Sequence, residues 1–251
     1  STFASRPGER ILNLSVVPPL YDLPGFYEPF SAISHLFGAV FFLYLGSLLI
    51  RKGWGDRSRV AYLSVYAIAC TLLLSMSGVY HMMVRATTVR AVMERLDHGA
   101  IFILIAGTFT PAHGILFRGW LRWGVLLVIW TLAIVGITLK TIFFAELPEW
   151  MGLSFYLGLG WIGLLSMIVL AKRYGFSFVK PLVWGAIAYT LGAVFEFLRW
   201  FVIIPGVIHS HEIFHLAVLA GALFHWWFIW QFADGRPSVH RVPQLNVEPE
   251  N

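Results

Sequence analysis

Cysteine is nearly absent from this chain. Cys70 stands alone in 251 residues, inside an apolar run, so no disulfide within the chain can staple the fold. Charge is scarce too. Asp, Glu, Lys and Arg make up 12% of the sequence, about half the roughly 25% of an ordinary soluble domain. Short strands of alternating polarity, the mark of a membrane β-barrel, are also missing. Long polar connections are lacking as well, which excludes an inserted soluble domain. What the chain has instead is apolar mass: 58% hydrophobic residues and a mean hydropathy of +0.74. That composition belongs to the bilayer.

Seven runs are free, or nearly free, of charge and close to the roughly 17–25 residues that a membrane helix needs. They are Pro29–Ile50, Val60–Val84, His98–Phe117, Trp123–Leu139, Trp150–Ala171, Pro181–Ile203 and Ile213–Ala233, the sixth being interrupted by Glu196 and Arg199. The expected fold is all-α, a seven-helix transmembrane bundle over residues 29–233. Residues 1–28 carry Pro7, Pro18, Pro19 and Pro24 and are expected to lie along the membrane surface. Residues 234–251 read as a flexible polar tail. The first apolar run starts too late and is too long for a cleaved signal peptide.

A net charge of +5 is explained by loop arginines and lysines at lipid headgroups, so membrane lipids are the expected partners and nucleic acid is not. Trp120, Trp123, Trp150, Trp200, Trp226 and Trp227 read as an interfacial belt.

Ionisable groups within spans cost about 2.5–3.5 kcal/mol each at a helix centre for Asp, Lys or Arg, and so begin as functional candidates. Odd-numbered spans start, and even-numbered spans end, on the side that holds the N-terminus. By that parity Glu28, Ser34 and His35, then His81, then Asp97 and His98, then Glu196 and Arg199, then His211 and His215 all lie toward one membrane face.

His211-Glu212-Ile213-Phe214-His215 fits the H-E-x-x-H pattern of zinc enzymes. Its two histidines share a helix face, one turn apart. A third imidazole would complete a catalytic zinc site with an open fourth position, and His81 is the best candidate. Ser77 lies one turn before His81, and Asp97 opens the third span, so these two are the catalytic candidates, Asp97 as general base or water-orienting group. His35, His113 and His225 read as packing residues, His209 as a loop residue and His98 as at most a supporting group. Glu196 and Arg199, three apart, read as a pair at the interface. Pro111 is expected to kink or end its helix.

Three blocks in order carry a family resemblance: EPFSAISH (Glu28–His35), SGVYH followed by LDHGAIFILIAGTFTP (Ser77–His81, Leu96–Pro111), and HEIFH (His211–His215). The chain resembles the progestin and adipoQ receptor superfamily, in its bacterial hemolysin III branch. Ser31 departs from the pattern, since many members have asparagine there.

The resemblance implies an adiponectin-receptor-like seven-helix fold, with Zn2+ held by His81, His211 and His215. It also implies that Asp97 reaches the metal through water, with Ser77 in support. Related proteins with this site, adiponectin receptors and the similarly built alkaline ceramidases, imply zinc-dependent hydrolysis of amide-linked lipids such as ceramide, in membrane lipid or energy homeostasis. Alternative readings are a receptor or regulator with a structural zinc, a haemolysin or channel, and an intramembrane metalloprotease using Glu212. A multi-pass protein of a bacterial inner membrane is the expected location.

Orientation divides the indications. Positive charge is richer on the side holding Arg51, Lys52, Arg57, Arg59, Arg118, Arg122, Lys172, Arg173 and Lys180, which places the N-terminus and the histidine face outside. Adiponectin receptors keep that face in the cytoplasm, and alkaline ceramidases are inverted. On the charge rule, an impermeant thiol reagent on intact cells labels cysteines placed between positions 85 and 95 and spares those between 51 and 59. The reverse labelling would put the histidine face in the cytoplasm.

Overall fold

The computed structural model describes residues 25–199, 202–204 and 208–237. Most of the expected surface segment (1–28) and tail (234–251) falls on positions outside the described residues.

The described chain folds into eight helices and one short strand pair. The helices are α1 (Pro29–Lys52), α2 (Arg57–Met82), α3 (Thr88–Leu116), α4 (Trp120–Ile142), α5 (Glu149–Trp161), α6 (Gly163–Tyr174), α7 (Phe176–Leu198) and α8 (Ser210–Trp230). Strands β1 (Val202–Ile204) and β2 (Ile208–His209) pair antiparallel just before α8. Helices α5 and α6 form one 26-residue span, Glu149–Tyr174, broken at Ile162, so seven spans are long and apolar enough to cross a membrane. The break falls in Gly158-Leu159-Gly160-Trp161-Ile162-Gly163, where three glycines weaken helix propensity. The protein is an integral, multi-pass membrane protein with an all-α bundle.

Local chemistry sets the boundaries. Pro29 opens α1, where its missing N–H costs nothing. The Asp56 side chain accepts the Arg59 N–H at 2.9 Å to cap α2. Thr87 accepts the Arg90 N–H at 3.2 Å to cap α3. That cap starts α3 ten residues before the charge-free run at His98, so Arg90, Glu94, Arg95 and Asp97 are helical. Of the two outcomes expected at Pro111, a kink or a helix end, the end does not occur, since α3 continues to Leu116.

Consecutive spans pack side by side, and α8 returns against α1 and α7. The core between them is closed by Tyr66, Phe178, Phe228, Phe232, Leu49 and Ile229. Phe37, Val40 and Leu165 are exposed by more than 70% or at 70%, as expected of side chains that face lipid. α3 and α8 touch only sparsely, and the space between them, α5, α6 and α7 is a cavity of about 1000 Å³.

Close helix approach depends on small residues. A Cβ built on Gly107 of α3 would stand 2.6 Å from the Ala69 Cβ of α2, whereas one on Gly160 meets nothing within 4 Å. Gly107→Val is therefore expected to destabilise by about 1–3 kcal/mol, read as a lower Tm in detergent. Gly160→Ala should leave Tm unchanged or raised. Equal Tm values for the two variants would contradict this packing.

Candidate metal centre

The end of α2 and the first two turns of α8 meet at one end of the bundle. His81 lies in the last turn of α2, and His211 and His215 lie one turn apart on α8. Their ring nitrogens converge: His211 Nε2 is 3.3 Å from His81 Nε2 and 3.0 Å from His215 Nε2. One donor atom from each residue lies within 4.8 Å of the others, a group able to hold a metal ion. His81 and His215 are each 2% exposed, whereas the His211 side chain is 38% exposed, so the group is buried on two sides and open on the third.

Carboxylates orient two of the three rings. Glu28 Oε2 accepts a short hydrogen bond from His81 Nδ1. Glu196 Oε1 accepts one from His211 Nδ1 at 3.0 Å. A carboxylate that accepts from Nδ1–H fixes the tautomer, leaving Nε2 as a lone pair aimed at the centre. The His81 and His211 lone pairs thus point at each other across 3.3 Å, and a cation at the focus of the three rings would remove that conflict.

Glu28 is itself held by arginine. Its Oε1 accepts from Arg90 Nη2 at 3.0 Å and Arg85 Nη2 at 3.3 Å. Arg90 is buried and also sits over the rings of Tyr80 and Tyr27. Burial pushes the Glu28 carboxyl up, but the His81 hydrogen bond and the Arg90 charge outweigh it and bring it down to about 2. Glu28 therefore stays ionised at any physiological pH.

The surroundings brace α8 and its rings. His35 stacks on His215 with centroids 3.9 Å apart, and its Nε2–H donates to the His215 carbonyl at 3.4 Å. Ser31 donates to Glu212 Oε1 at 3.2 Å, and Glu212 Oε2 accepts the His209 N–H at 2.9 Å in a capping box. One Glu212 oxygen thus caps α8 and the other ties it to α1, although the residue sits inside the H-E-x-x-H pattern.

Asp97 and Ser77 lie beside the three histidines rather than among them. Both line the cavity, the Asp97 carboxylate faces the Ser77 hydroxyl, and His211 lies within its electrostatic reach. Farther from the centre, His98 Nδ1 donates to the Glu94 carbonyl at 2.8 Å. His113 donates from Nδ1 to the Leu121 carbonyl at 2.7 Å, and its Nε2 accepts from Ser166 at 3.0 Å.

One pairing differs from the sequence expectation. Glu196 does not pair with Arg199, whose guanidinium reaches Glu149 at 3.0 Å across the exposed rim. The reason is chain direction: Arg199 is the left-handed residue that ends α7, with φ 52°, and its side chain leaves the helix face that carries Glu196. His35 is a packing residue as expected, but what it packs against is His215. Glu28 and Glu196 were the supports that spacing did not assign. The available signal was parity, which already placed both carboxylates on the histidine face of a chain poor in charge.

Known proteins fit the same region. The family model described as "Haemolysin-III related" matches residues 26–226, which hold every residue of this centre. "Hemolysin-3" of Bacillus cereus is 36% identical over 197 residues, covering 76% of this chain and 85% of that protein. "Hemolysin-3 homolog" of Bacillus subtilis is 28% identical over 175 residues, 70% of this chain and 78% of the relative. The human "Monocyte to macrophage differentiation factor" is 26% identical over 198 residues, 77% of this chain and 79% of its own.

Removing a carboxylate that orients a metal-binding histidine commonly costs 10–100-fold in affinity. Glu28→Ala is accordingly expected to weaken divalent-metal binding by about 10–100-fold in a competitive chelator titration. Unchanged affinity would mean that Glu28 braces helices and nothing more.

Proposed function

The chain belongs to the haemolysin-III-related family, and on that footing we propose that it is an integral-membrane zinc protein that hydrolyses amide-linked lipids. The observation that carries the reading is a three-imidazole centre, backed by carboxylates, at the mouth of a large and mostly apolar cavity.

The donor set suits zinc. Tetrahedral zinc with nitrogen ligands at about 2.0–2.1 Å has ligand–ligand edges of about 3.3 Å. The two closest nitrogen pairs, at 3.3 and 3.0 Å, lie near that edge. Three neutral imidazoles leave a fourth position open, as in catalytic rather than structural sites. His81, His211 and His215 would hold the ion. When bound, zinc supplies a Lewis acid that polarises a carbonyl and lowers the pKa of water.

The remaining work falls to the chain. The cavity descends from the histidines between α3, α6, α7 and α8, past Leu104, Leu182 and Val218 to Phe228. An acyl chain seated there would bring its head amide up to the histidines. Asp97 accepts the proton that a water loses on attacking the amide carbon, and returns it to the departing amine nitrogen. Ser77 orients the Asp97 carboxylate through its hydroxyl. Glu28 and Glu196 keep the His81 and His211 rings in the tautomer that faces inward. Glu212 Oε2 accepts the His209 N–H at the start of α8 and its Oε1 accepts from Ser31 of α1, so both oxygens are engaged in bracing the helix, which disfavours the metalloprotease reading.

Turnover of a ceramide-type amide by purified protein tests this. A general base contributes about 10²–10⁴-fold, so Asp97→Asn should lose at least about 100-fold in kcat with zinc content unchanged. Glu212→Gln, which keeps an acceptor for the cap, should stay within a few fold of wild type. Zinc-loaded wild type that turns over no amide lipid would leave a structural zinc, as in a receptor, in place of the hydrolase.

A further inference from the structure

Among the described residues, the buried side-chain polar atoms without a hydrogen-bond partner fall into two groups. One is Nδ1 of His35 and of His215, at the metal centre. The other lies deeper: the Tyr189 hydroxyl on α7 and both ring nitrogens of His225 on α8. The second group plays no part in the chemistry above. An orphaned buried donor is costly and uncommon, so a cluster of them calls for an occupant.

The two side chains act together. Their ring centroids are 5.3 Å apart, and both line the cavity wall. Other hydroxyls on that wall are already satisfied: Thr108 donates to Leu104 O at 2.8 Å and Thr190 to Ala186 O at 2.7 Å. The Leu182 backbone lies on one side of the His225 ring, outside hydrogen-bond geometry, so at most one of the two nitrogens could be served from there. Glycine makes the room. A Cβ on Gly221 would stand 2.7 Å from the Tyr189 Cζ, and one on Gly185 would strike the His225 ring.

We propose that Tyr189 and His225 form a polar subsite within the cavity that binds a hydroxyl or keto oxygen carried partway along a long-chain lipid. The phenol donates to that oxygen, and the imidazole donates or accepts, so a hydroxyl satisfies both. Depth selects the position. His225 follows His215 by ten residues, which at 1.5 Å per residue places it about 15 Å farther into the bilayer. A zigzag chain of roughly 1.5 Å bonds advances about 1.25 Å per bond, so the subsite meets the chain about twelve bonds from a headgroup at the histidines. The position, though not the subsite, rests on the headgroup placement proposed above.

Competition binding to the full-length protein in nanodiscs, with 12-hydroxyoctadecanoic acid against octadecanoic acid, tests the subsite. One hydrogen bond to a previously unpaired group should give wild type about a five- to tenfold preference for the hydroxy acid. Tyr189→Phe should reduce the preference to below about twofold, while the Tm of the ligand-free protein stays unchanged or rises because the lost hydroxyl had no partner. In His81→Ala both acids should weaken together and their ratio survive. Loss of the headgroup anchor thus shows in both affinities, and loss of the subsite only in the ratio. Equal binding of the two acids by wild type overturns the proposal, and so does a preference that persists in Tyr189→Phe or a Tm that falls by several degrees in that variant.

Discussion

The Glu28 carboxylate is the joint on which this end of the molecule depends. It sits at the entry to α1, accepts from His81 at the end of α2, and is gripped by Arg90 in the first turn of α3. The backbone repeats the connection, with Glu28 N–H donating to the His81 carbonyl at 3.0 Å. An isolated carboxylate here would be expensive to bury, and so would an isolated arginine. Together with His81 they satisfy one another, and the group locks three helices at the height where three imidazoles must converge. Glu196 does the same from α7 for His211. Each histidine of the centre is thus oriented or flanked by a group on a different helix, with His35 of α1 stacked on His215.

This arrangement concentrates polarity at one face and leaves the remainder of the bundle free to be apolar on both sides. Phe178, Phe228 and Phe232 pack inward, and Phe37, Val40 and Leu165 face outward. Helix association without a hydrophobic driving force then rests on close contact, which is why glycines recur where helices cross or where a large ring must lie against a backbone. Gly78 against Leu36 and Gly114 against Tyr62 follow the same logic as Gly107 against Ala69. Where packing is thin, between α3 and α8 and along α5, the cavity opens. A rigid centre next to a yielding wall is what a site needs if it must hold polar atoms in register and admit a flexible chain.

Much of this was legible in the sequence. The seven spans follow from charge-free length, and the meeting of His81 with His211 and His215 follows from one i,i+4 spacing and one parity rule. The start of α3 was not legible, because a scan for charge-free runs cannot know that Thr87 caps a helix whose first turns hold Arg90 against Glu28. Nor was the break at Ile162, which continuous hydropathy conceals. The carboxylate partners were hidden for a simpler reason: Glu28 and His81 are 53 residues apart, and only the fold decides which acid meets which ring. The unpartnered Tyr189 and His225 could not be read at all, since absence of a partner is a property of packing.

The central claim is that the three imidazoles form one metal site. Metal analysis of the purified full-length protein by mass spectrometry tests it most directly. About one zinc per chain is expected in wild type, falling to a trace in His81→Ala and in His215→Ala. Wild type without bound metal, or variants that keep their zinc, would contradict the account.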